Sequence, residues 1–358
     1  MGKSLMKGTE AIAEAAVQAG CKYFFGYPIT PQNEIPEYMS ARLPQVGGVY
    51  VQAESEVASI NMLMGAASTG YRVMTTSSSP GVSLMSEGIS YIAILEFPAV
   101  MVNVSRGGPG LGNILPAQGD YNQATRGGGH GDYRLIVMAP GNLQEAVDLT
   151  QDAFDLSQKY RILVMVLADG FMGQMMEAVE ISPRAAEDPA TNAPWALGWR
   201  KERGGRYTAR SMYLNPEKLE EQVTHLYEKY ERIKANEARF EHYLVDDAEL
   251  VITSYGTTSR VCRSAINNLR AEGYKVGMMR PITVWPFPTA GLSKLPASVK
   301  AILDVEMSAD FQMANDVRLS LSRDIPVHTT GRWGGFSPTV RHIEEKCIEV
   351  LKGSAGQK

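Results

Sequence analysis

Two acidic residues, Glu54 and Glu56, flank Ser55 at the start of a run rich in small and apolar side chains. Carboxylates are favoured in the first turn of a helix, so dipole complementarity alone accounts for the pair. Acid–base chemistry would need one of them to be buried against a ligand nitrogen. Glu56 suits that better, because Val57–Leu63 after it carries no charge. A second group is Gly26-Tyr27-Pro28-Ile29-Thr30-Pro31, where a strand pattern gives way to a helix pattern. Ligands in open α/β sheets bind beyond the carboxyl ends of strands, and a helix N-terminus attracts a carboxylate or phosphate. The Thr30 hydroxyl could bond such an anion, or could simply cap a helix that Pro31 opens. A third group, Ser105-Arg106-Gly107-Gly108-Pro109-Gly110-Leu111-Gly112, offers close backbone approach from its glycines and bidentate anion binding from Arg106. Gly127-Gly128-Gly129-His130-Gly131-Asp132 follows. Both glycine runs also read as surface loops, and neither fits a dinucleotide fingerprint or a Walker loop. Ala168-Asp169-Gly170 resembles the start of the Gly-Asp-Gly motif that holds Mg²⁺ and diphosphate in thiamine enzymes. It lacks the leading glycine and the later asparagine, and reads as a strand-end turn.

The elements that must carry these groups alternate. Helix patterns at 6–19, 54–68, 81–95 and 142–158 fall between strand patterns at 22–26, 48–52, 72–76, 98–104, 134–139 and 161–168. Such alternation specifies a parallel sheet covered on both faces. The rhythm breaks between about 180 and 248. Pro183–Pro194 is rich in Ala, Pro and Asn, Lys201–Tyr207 is a charged loop, and Pro216–Asp246 has the pattern of a long charged helix. Alternation resumes with a strand at 250–255, a helix at 258–271 stopped by Gly273, strands at 275–279, 299–304 and 325–329, and a closing helix at 337–351. The expected organisation is α/β throughout: a first domain over 1–182, a connector with the long charged helix over 183–247, and a smaller domain over 248–358.

Bulk properties exclude several classes. The chain of 358 residues has a formal net charge of −4 and no basic stripe, which argues against nucleic acid as a partner. No apolar run reaches the ~18 residues of a membrane span, and the first residues lack a signal-peptide core. A cytoplasmic location is expected. The 3 cysteines, Cys21, Cys262 and Cys347, form no C-x-x-C pair, so this chain alone cannot build a four-cysteine iron–sulfur cluster. The 5 histidines show no metal-ligand spacing, and no metal site is expected.

Four runs then stand in a recognisable order: Gly26–Pro31 (GYPITP), Glu54–Ser59 (ESEVAS), Met74–Ile89 (MTTSSSPGVSLMSEGI) and Val104–Gly110 (VSRGGPG). Together they resemble the alpha subunits of 2-oxoacid:ferredoxin oxidoreductases. Ser254-Tyr255-Gly256-Thr257-Thr258 and Arg280-Pro281 resemble that family's transketolase-C-terminal-like domain. The resemblance spans nearly the whole chain and is weakest over 183–215. It implies a thiamine-diphosphate-binding domain of the pyrimidine type followed by the transketolase-C-terminal-like domain. Thiamine diphosphate would be shared with a beta subunit that carries the Mg²⁺–diphosphate motif and a [4Fe–4S] cluster. A gamma subunit, a ferredoxin-like subunit, ferredoxin and coenzyme A complete the implied partners. By motif, Glu56 would hydrogen-bond the aminopyrimidine and drive the tautomer that deprotonates the thiazolium carbon, and Pro28 and Ile29 would border the cofactor. Thr30 and Arg106 would orient the carboxylate of the 2-oxoacid. CO₂ would leave, two electrons would pass singly to iron–sulfur clusters, and the acyl group would end on coenzyme A.

The loops Gly107–Asn113, Gln118–Tyr121 and Gly127–Asp132 resemble the branched-chain subtype, which acts on 3-methyl-2-oxobutanoate. The Ser-Thr-Gly-Leu-Pro-Thr loop of the 2-oxoglutarate subtype is absent. A second substrate carboxylate would want an extra cation, for which Arg106 and Arg126 are the candidates. Three other readings stand beside this one: an alpha subunit of the 2-oxoglutarate enzyme, a thiamine enzyme that also holds the diphosphate, and a non-catalytic scaffold.

Overall fold

The structure is a computed structural model that describes residues 2–184, 193–198 and 207–355. Much of the Pro183–Pro194 stretch and nearly all of the Lys201–Tyr207 loop lie outside the described residues.

The first part of the chain runs β1 (Ser4–Lys7), α1 (Gly8–Gln18), β2 (Tyr23–Gly26), α2 (Glu34–Gln45), β3 (Val49–Gln52), α3 (Glu56–Ala67), β4 (Val73–Ser77), α4 (Pro80–Leu95), β5 (Ala99–Ser105), α5 (Tyr121–Arg126), β6 (Ile136–Met138), α6 (Leu143–Tyr160), β7 (Leu163–Asp169), α7 (Gly170–Gln174) and β8 (Met176–Val179). There follow α8 (Pro216–Glu237), β9 (Phe240–Tyr243), β10 (Leu250–Thr253), α9 (Thr258–Ala271), β11 (Val276–Pro281), β12 (Thr283–Trp285), α10 (Ala290–Ser293), β13 (Ala301–Glu306), α11 (Gln312–Leu319), β14 (Val327–Gly331) and α12 (Val340–Ala355).

Seven strands form one sheet in the order β12-β6-β7-β5-β4-β2-β3, parallel except for β12, which pairs antiparallel with β6. Every residue of β5 and β7 is buried, as expected for strands covered on both faces. A second sheet, β14-β13-β10-β11-β9, is parallel except for the edge strand β9. This is the expected pair of α/β sheets. β1 and β8 add a small antiparallel ladder. Among the described residues no helix is long and apolar enough to cross a membrane.

Local chemistry explains the well-placed helices. Ser55 caps α3 by accepting from Ala58 N, and Asn142 caps α6 by accepting from Glu145 N. The small residues of α3 and α4 allow close packing: a Cβ at Gly88 would lie 2.5 Å from Ile60 Cγ2.

Two expected helix bounds are corrected. Thr30 does not cap a helix. Gln32 N bonds Ile29 O at 3.0 Å, closing a turn at 29–32. The Gln32 side chain is held by Tyr27 O at 3.2 Å and by the Thr76 hydroxyl at 2.5 Å, so α2 starts only at Glu34. The long charged helix ends at Glu237 rather than 246, because Phe240–Tyr243 leaves to pair with β11.

Candidate active site

Strands β2, β4, β5 and β7 end side by side, with Ser77 paired to Asn103 and Ser105 to Asp169. The loops that leave these ends converge, as the topology of a parallel sheet dictates. Glu56 occupies the first position of α3 and is 6% exposed, whereas Glu54 precedes the helix and is exposed. Among the described residues the Glu56 carboxylate has no ion-pair or hydrogen-bond partner. The N-terminus of α4 lies against it. A Cβ at Gly81 would fall 2.7 Å from Glu56 Oε1 and 2.1 Å from Ser77 Oγ, so only glycine leaves this space open.

Arg106 follows β5 and is 6% exposed. Its Nη1 donates to the Thr30 carbonyl at 2.8 Å and its Nη2 to the Leu111 carbonyl at 3.1 Å, while Nε is buried without a partner. The structure therefore brings Thr30 and Arg106 together, but through the Thr30 backbone. The Thr30 hydroxyl accepts from Asn33 Nδ2 at 3.2 Å. Pro28 is exposed and Ile29 half-buried in the same turn.

The sequence did not single out the group that ties these loops. Ser79 N donates to Asn103 Oδ1 at 3.1 Å, Ser79 Oγ donates to Asp120 Oδ2 at 2.7 Å, and Arg106 N donates to Ser79 Oγ at 2.9 Å. Asn103 Nδ2 also bonds Asp120 Oδ2, at 2.9 Å. Burial raises the Asp120 carboxyl above its ordinary pKa, against the lowering effect of the Ser79 and Asn103 bonds. Ser79 sits at φ 25°, in the left-handed region. No local sequence signal announces such a conformation for serine.

A cleft of about 650 Å³ opens above this network. Arg106–Gly110 line one side, and Met307–Asp310 with Trp333 and Gly334 line the other. Gln118 clips the two sides together: its amide N and Oε1 bond Met307 O and N, each at 2.9 Å, and its Nε2 bonds Tyr255 O at 2.9 Å. Arg126 is tied to Asp316 Oδ1 at 2.8 Å and is thereby removed as a free cation. Asp169 caps α7 through Phe171 N and Met172 N and accepts from the Thr257 hydroxyl, in keeping with a strand-end turn. Cys21, Cys262 and Cys347 are free and buried.

The residues fit the aminopyrimidine end of thiamine diphosphate. Among the described residues Glu56 is a buried carboxylate with no partner, the bare Cα of Gly81 leaves room beside it, and the Ser77 and Ser78 hydroxyls are buried without partners.

Comparison with known proteins points the same way. Residues 14–242 match the family model described as pyruvate flavodoxin/ferredoxin oxidoreductase, thiamine-diphosphate-binding, and residues 248–343 match pyruvate:ferredoxin oxidoreductase core domain II. The chain is 48% identical to the ketoisovalerate oxidoreductase subunit VorB of Methanothermobacter thermautotrophicus, over 99% of this chain and 100% of that one. It is 38% identical to the 2-oxoglutarate synthase subunit KorA of Methanocaldococcus jannaschii, over 86% and 89% of the two chains. A solved 2-oxoglutarate:ferredoxin oxidoreductase from Magnetococcus marinus superposes with a TM-score of 0.86 at 28% identity, and the match covers 97% of this chain and 65% of that one. The chain belongs to the 2-oxoacid:ferredoxin oxidoreductase family, as a subunit carrying its thiamine-diphosphate-binding domain and core domain II.

Proposed function

We propose that this subunit serves the coenzyme A-dependent oxidative decarboxylation of branched-chain 2-oxoacids, with 3-methyl-2-oxobutanoate as the preferred substrate and ferredoxin as electron acceptor. The observation that carries the reading is Glu56, a buried carboxylate at a helix start, without a partner among the described residues and facing the bare Gly81. Bound thiamine diphosphate supplies the carbon acid at which a 2-oxoacid can lose CO₂. Glu56 would hold a proton with the pyrimidine ring nitrogen of that cofactor, so that its exocyclic amine could act as a base. This role calls for a dry site, since water would screen the carboxylate. Pro28 and Ile29 would border the ring of the bound cofactor. Arg106 binds the substrate carboxylate with the donors its two carbonyl bonds leave free, and Thr30 steadies the guanidinium through its carbonyl.

The substrate class rests on the higher identity to the ketoisovalerate oxidoreductase subunit, 48% against 38% for the 2-oxoglutarate synthase subunit. The charge of the cleft supports it: among the described residues Arg106 is the single cation in the lining, and a second carboxylate would have none to meet. The Mg²⁺–diphosphate site and [4Fe–4S] cluster belong to a beta subunit, with a gamma and a ferredoxin-like subunit completing a cytoplasmic complex.

The test is to purify the native complex and measure coenzyme A-dependent dye reduction with a panel of 2-oxoacids. The expected result is the highest kcat/KM with 3-methyl-2-oxobutanoate. Preference for 2-oxoglutarate would overturn the substrate assignment, and no activity with any 2-oxoacid would overturn the reaction.

A further inference from the structure

The 2-oxoacid substrate has two ends, and the residues assigned so far account for one. Arg106 takes the carboxylate, and the side chain beyond the 2-oxo carbon has so far no assigned contact. The opposite wall comes from core domain II: the loop after β13, with Met307, Ala309 and Asp310, and the turn after β14, with Trp333 and Gly334. The two walls are latched. Asn113 Nδ2 donates to the Gly334 carbonyl at 3.0 Å. Gly335 has φ +96°, and a Cβ there would lie 2.6 Å from Leu115 Cβ, so the turn can sit this close only with glycine. The Asn113 and Leu115 side chains, packed on the Gly334–Gly335 turn, therefore hold Trp333 across from the Arg106 loop, while the indole itself is 55% exposed.

We infer that Trp333 and Asp310 are the specificity-determining pair of this cleft, Trp333 accepting a branched aliphatic side chain and Asp310 rejecting a second carboxylate. The inference rests on the function proposed above and assigns its selectivity to residues outside the thiamine-diphosphate-binding domain. An isopropyl group gains by covering the indole, in a cleft whose lining also offers the apolar Ala309 and Pro109. A dicarboxylic acid bound by Arg106 would bring its second charge to a wall whose ionisable member is Asp310. Discrimination of this kind combines an attractive contact for one substrate with a repulsive one for its rival.

The test uses the complete complex carrying Trp333→Ala, Trp333→Phe or Asp310→Lys. For each, kcat/KM is measured with 3-methyl-2-oxobutanoate and with 2-oxoglutarate, and the ratio is taken within one preparation so that a partly folded sample does not bias it. Trp333→Ala should lower the branched-acid preference by about 10-fold or more, within the range that small changes of apolar contact produce. Trp333→Phe should restore most of it. Asp310→Lys should shift the ratio toward 2-oxoglutarate by roughly 10-fold. Ratios that stay at the wild-type value in both Trp333→Ala and Asp310→Lys, with the wild-type preference for the branched acid intact, would overturn the inference alone. A wild-type complex that prefers 2-oxoglutarate would instead overturn the substrate reading beneath it.

Discussion

Replacing Glu56 by glutamine changes one property of the site and keeps its shape. The amide can still bond a ring nitrogen but cannot stabilise a proton there. Water compensates little, because the residue is 6% exposed, and among the described residues no neighbouring cation or donor engages the carboxylate. Its whole electrostatic effect is therefore available to a ligand. Removing acid–base assistance of this kind costs ~10²–10⁴-fold in rate, which corresponds to roughly 3–5.5 kcal/mol of activation free energy. Complex assembly and cofactor content should stay near wild type, since no folded-state bond is lost. Glu54 provides the internal control. It is exposed and lies outside α3, so Glu54→Gln should leave the rate within about twofold, as solvent screens such charges. Proton–deuterium exchange at the thiazolium carbon, followed by NMR after acid quench, isolates the step from decarboxylation and electron transfer. Exchange slowed in Glu54→Gln and unchanged in Glu56→Gln would show that the wrong carboxylate was chosen. Equal exchange in both variants and the wild type would remove the basis for the proton-holding role and leave the scaffold reading standing.

Arg106→Ala should raise KM and lower kcat/KM by ~10²-fold if about 3 kcal/mol of charge-assisted bonding is lost; Arg106→Lys should recover only part of it, because the fork that also holds the Thr30 and Leu111 carbonyls is gone. Unchanged kinetics in a folded Arg106→Ala complex would make this loop structural. Gly81→Ala should abolish proton exchange at the thiazolium carbon by pushing the Glu56 carboxylate and the Ser77 hydroxyl aside; normal exchange would mean that the ligand lies elsewhere. Lys229 is 3% exposed and donates to Glu96 Oε1 at 2.9 Å and to the Arg161 carbonyl at 3.1 Å, so Lys229→Ala should cost about 3–5 kcal/mol in urea denaturation, against little for the double change Lys229→Met with Glu96→Gln. Burial raises Asp304 to about 6 and raises Glu306 well above the usual carboxylate range, the two facing each other on β13. The folded state then binds more protons than the unfolded one, so stability is lost as pH rises from about 4 through 6 for Asp304, and further up for Glu306. Asp304→Asn should raise the Tm at pH 7.5 more than at pH 4.5, and equal shifts at both would refute the linkage.

The sequence carried the local parts of this structure well. Helix α9 begins at Thr258 and ends at Ala271 as its apolar spacing and Gly273 predict. The existence of α3 is legible from its small, uncharged residues, but the pattern places its start at Glu54; Ser55 caps the helix and leaves Glu54 outside it. What failed depended on distant partners. Thr30-Pro31 has the composition of a helix start, yet Thr76, far along the chain, takes the Gln32 side chain and the helix waits until Glu34. β12 is a three-residue segment between Ile282 and Pro286, and only its pairing with β6 across the molecule makes it a strand. Asp120 stands out in the sequence only as part of Gln118–Tyr121, one of the loops that resemble the branched-chain subtype. Its importance comes from burial between Ser79 and Asn103, which no spacing rule encodes. Trp333 had no partner pattern at all until the turn after β14 came to rest on Leu115 and Asn113.

Ser79 explains why the two halves of the site share one geometry. A non-glycine residue in the left-handed region costs on the order of 1–3 kcal/mol and persists only where its surroundings over-determine it. Here three bonds do so, from Ser79 N to Asn103, from Ser79 Oγ to Asp120, and from Arg106 N to Ser79 Oγ. The strained residue leads directly into Pro80 and Gly81, the first turn of α4, which lies against Glu56. The backbone of the proposed carboxylate clamp and the wall of the proposed proton-holding site are thus fastened to one hydroxyl. Moving Arg106 relative to Glu56 would break at least one of these buried bonds and leave a polar group unpaired, at a cost of about 1–3 kcal/mol each. For a substrate that must be held by its carboxylate while the adjacent 2-oxo carbon reacts, such rigidity keeps the reacting distance independent of how the cleft above is filled. Side-chain selectivity can then be set on the opposite wall by Trp333 and Asp310 without disturbing the chemistry below.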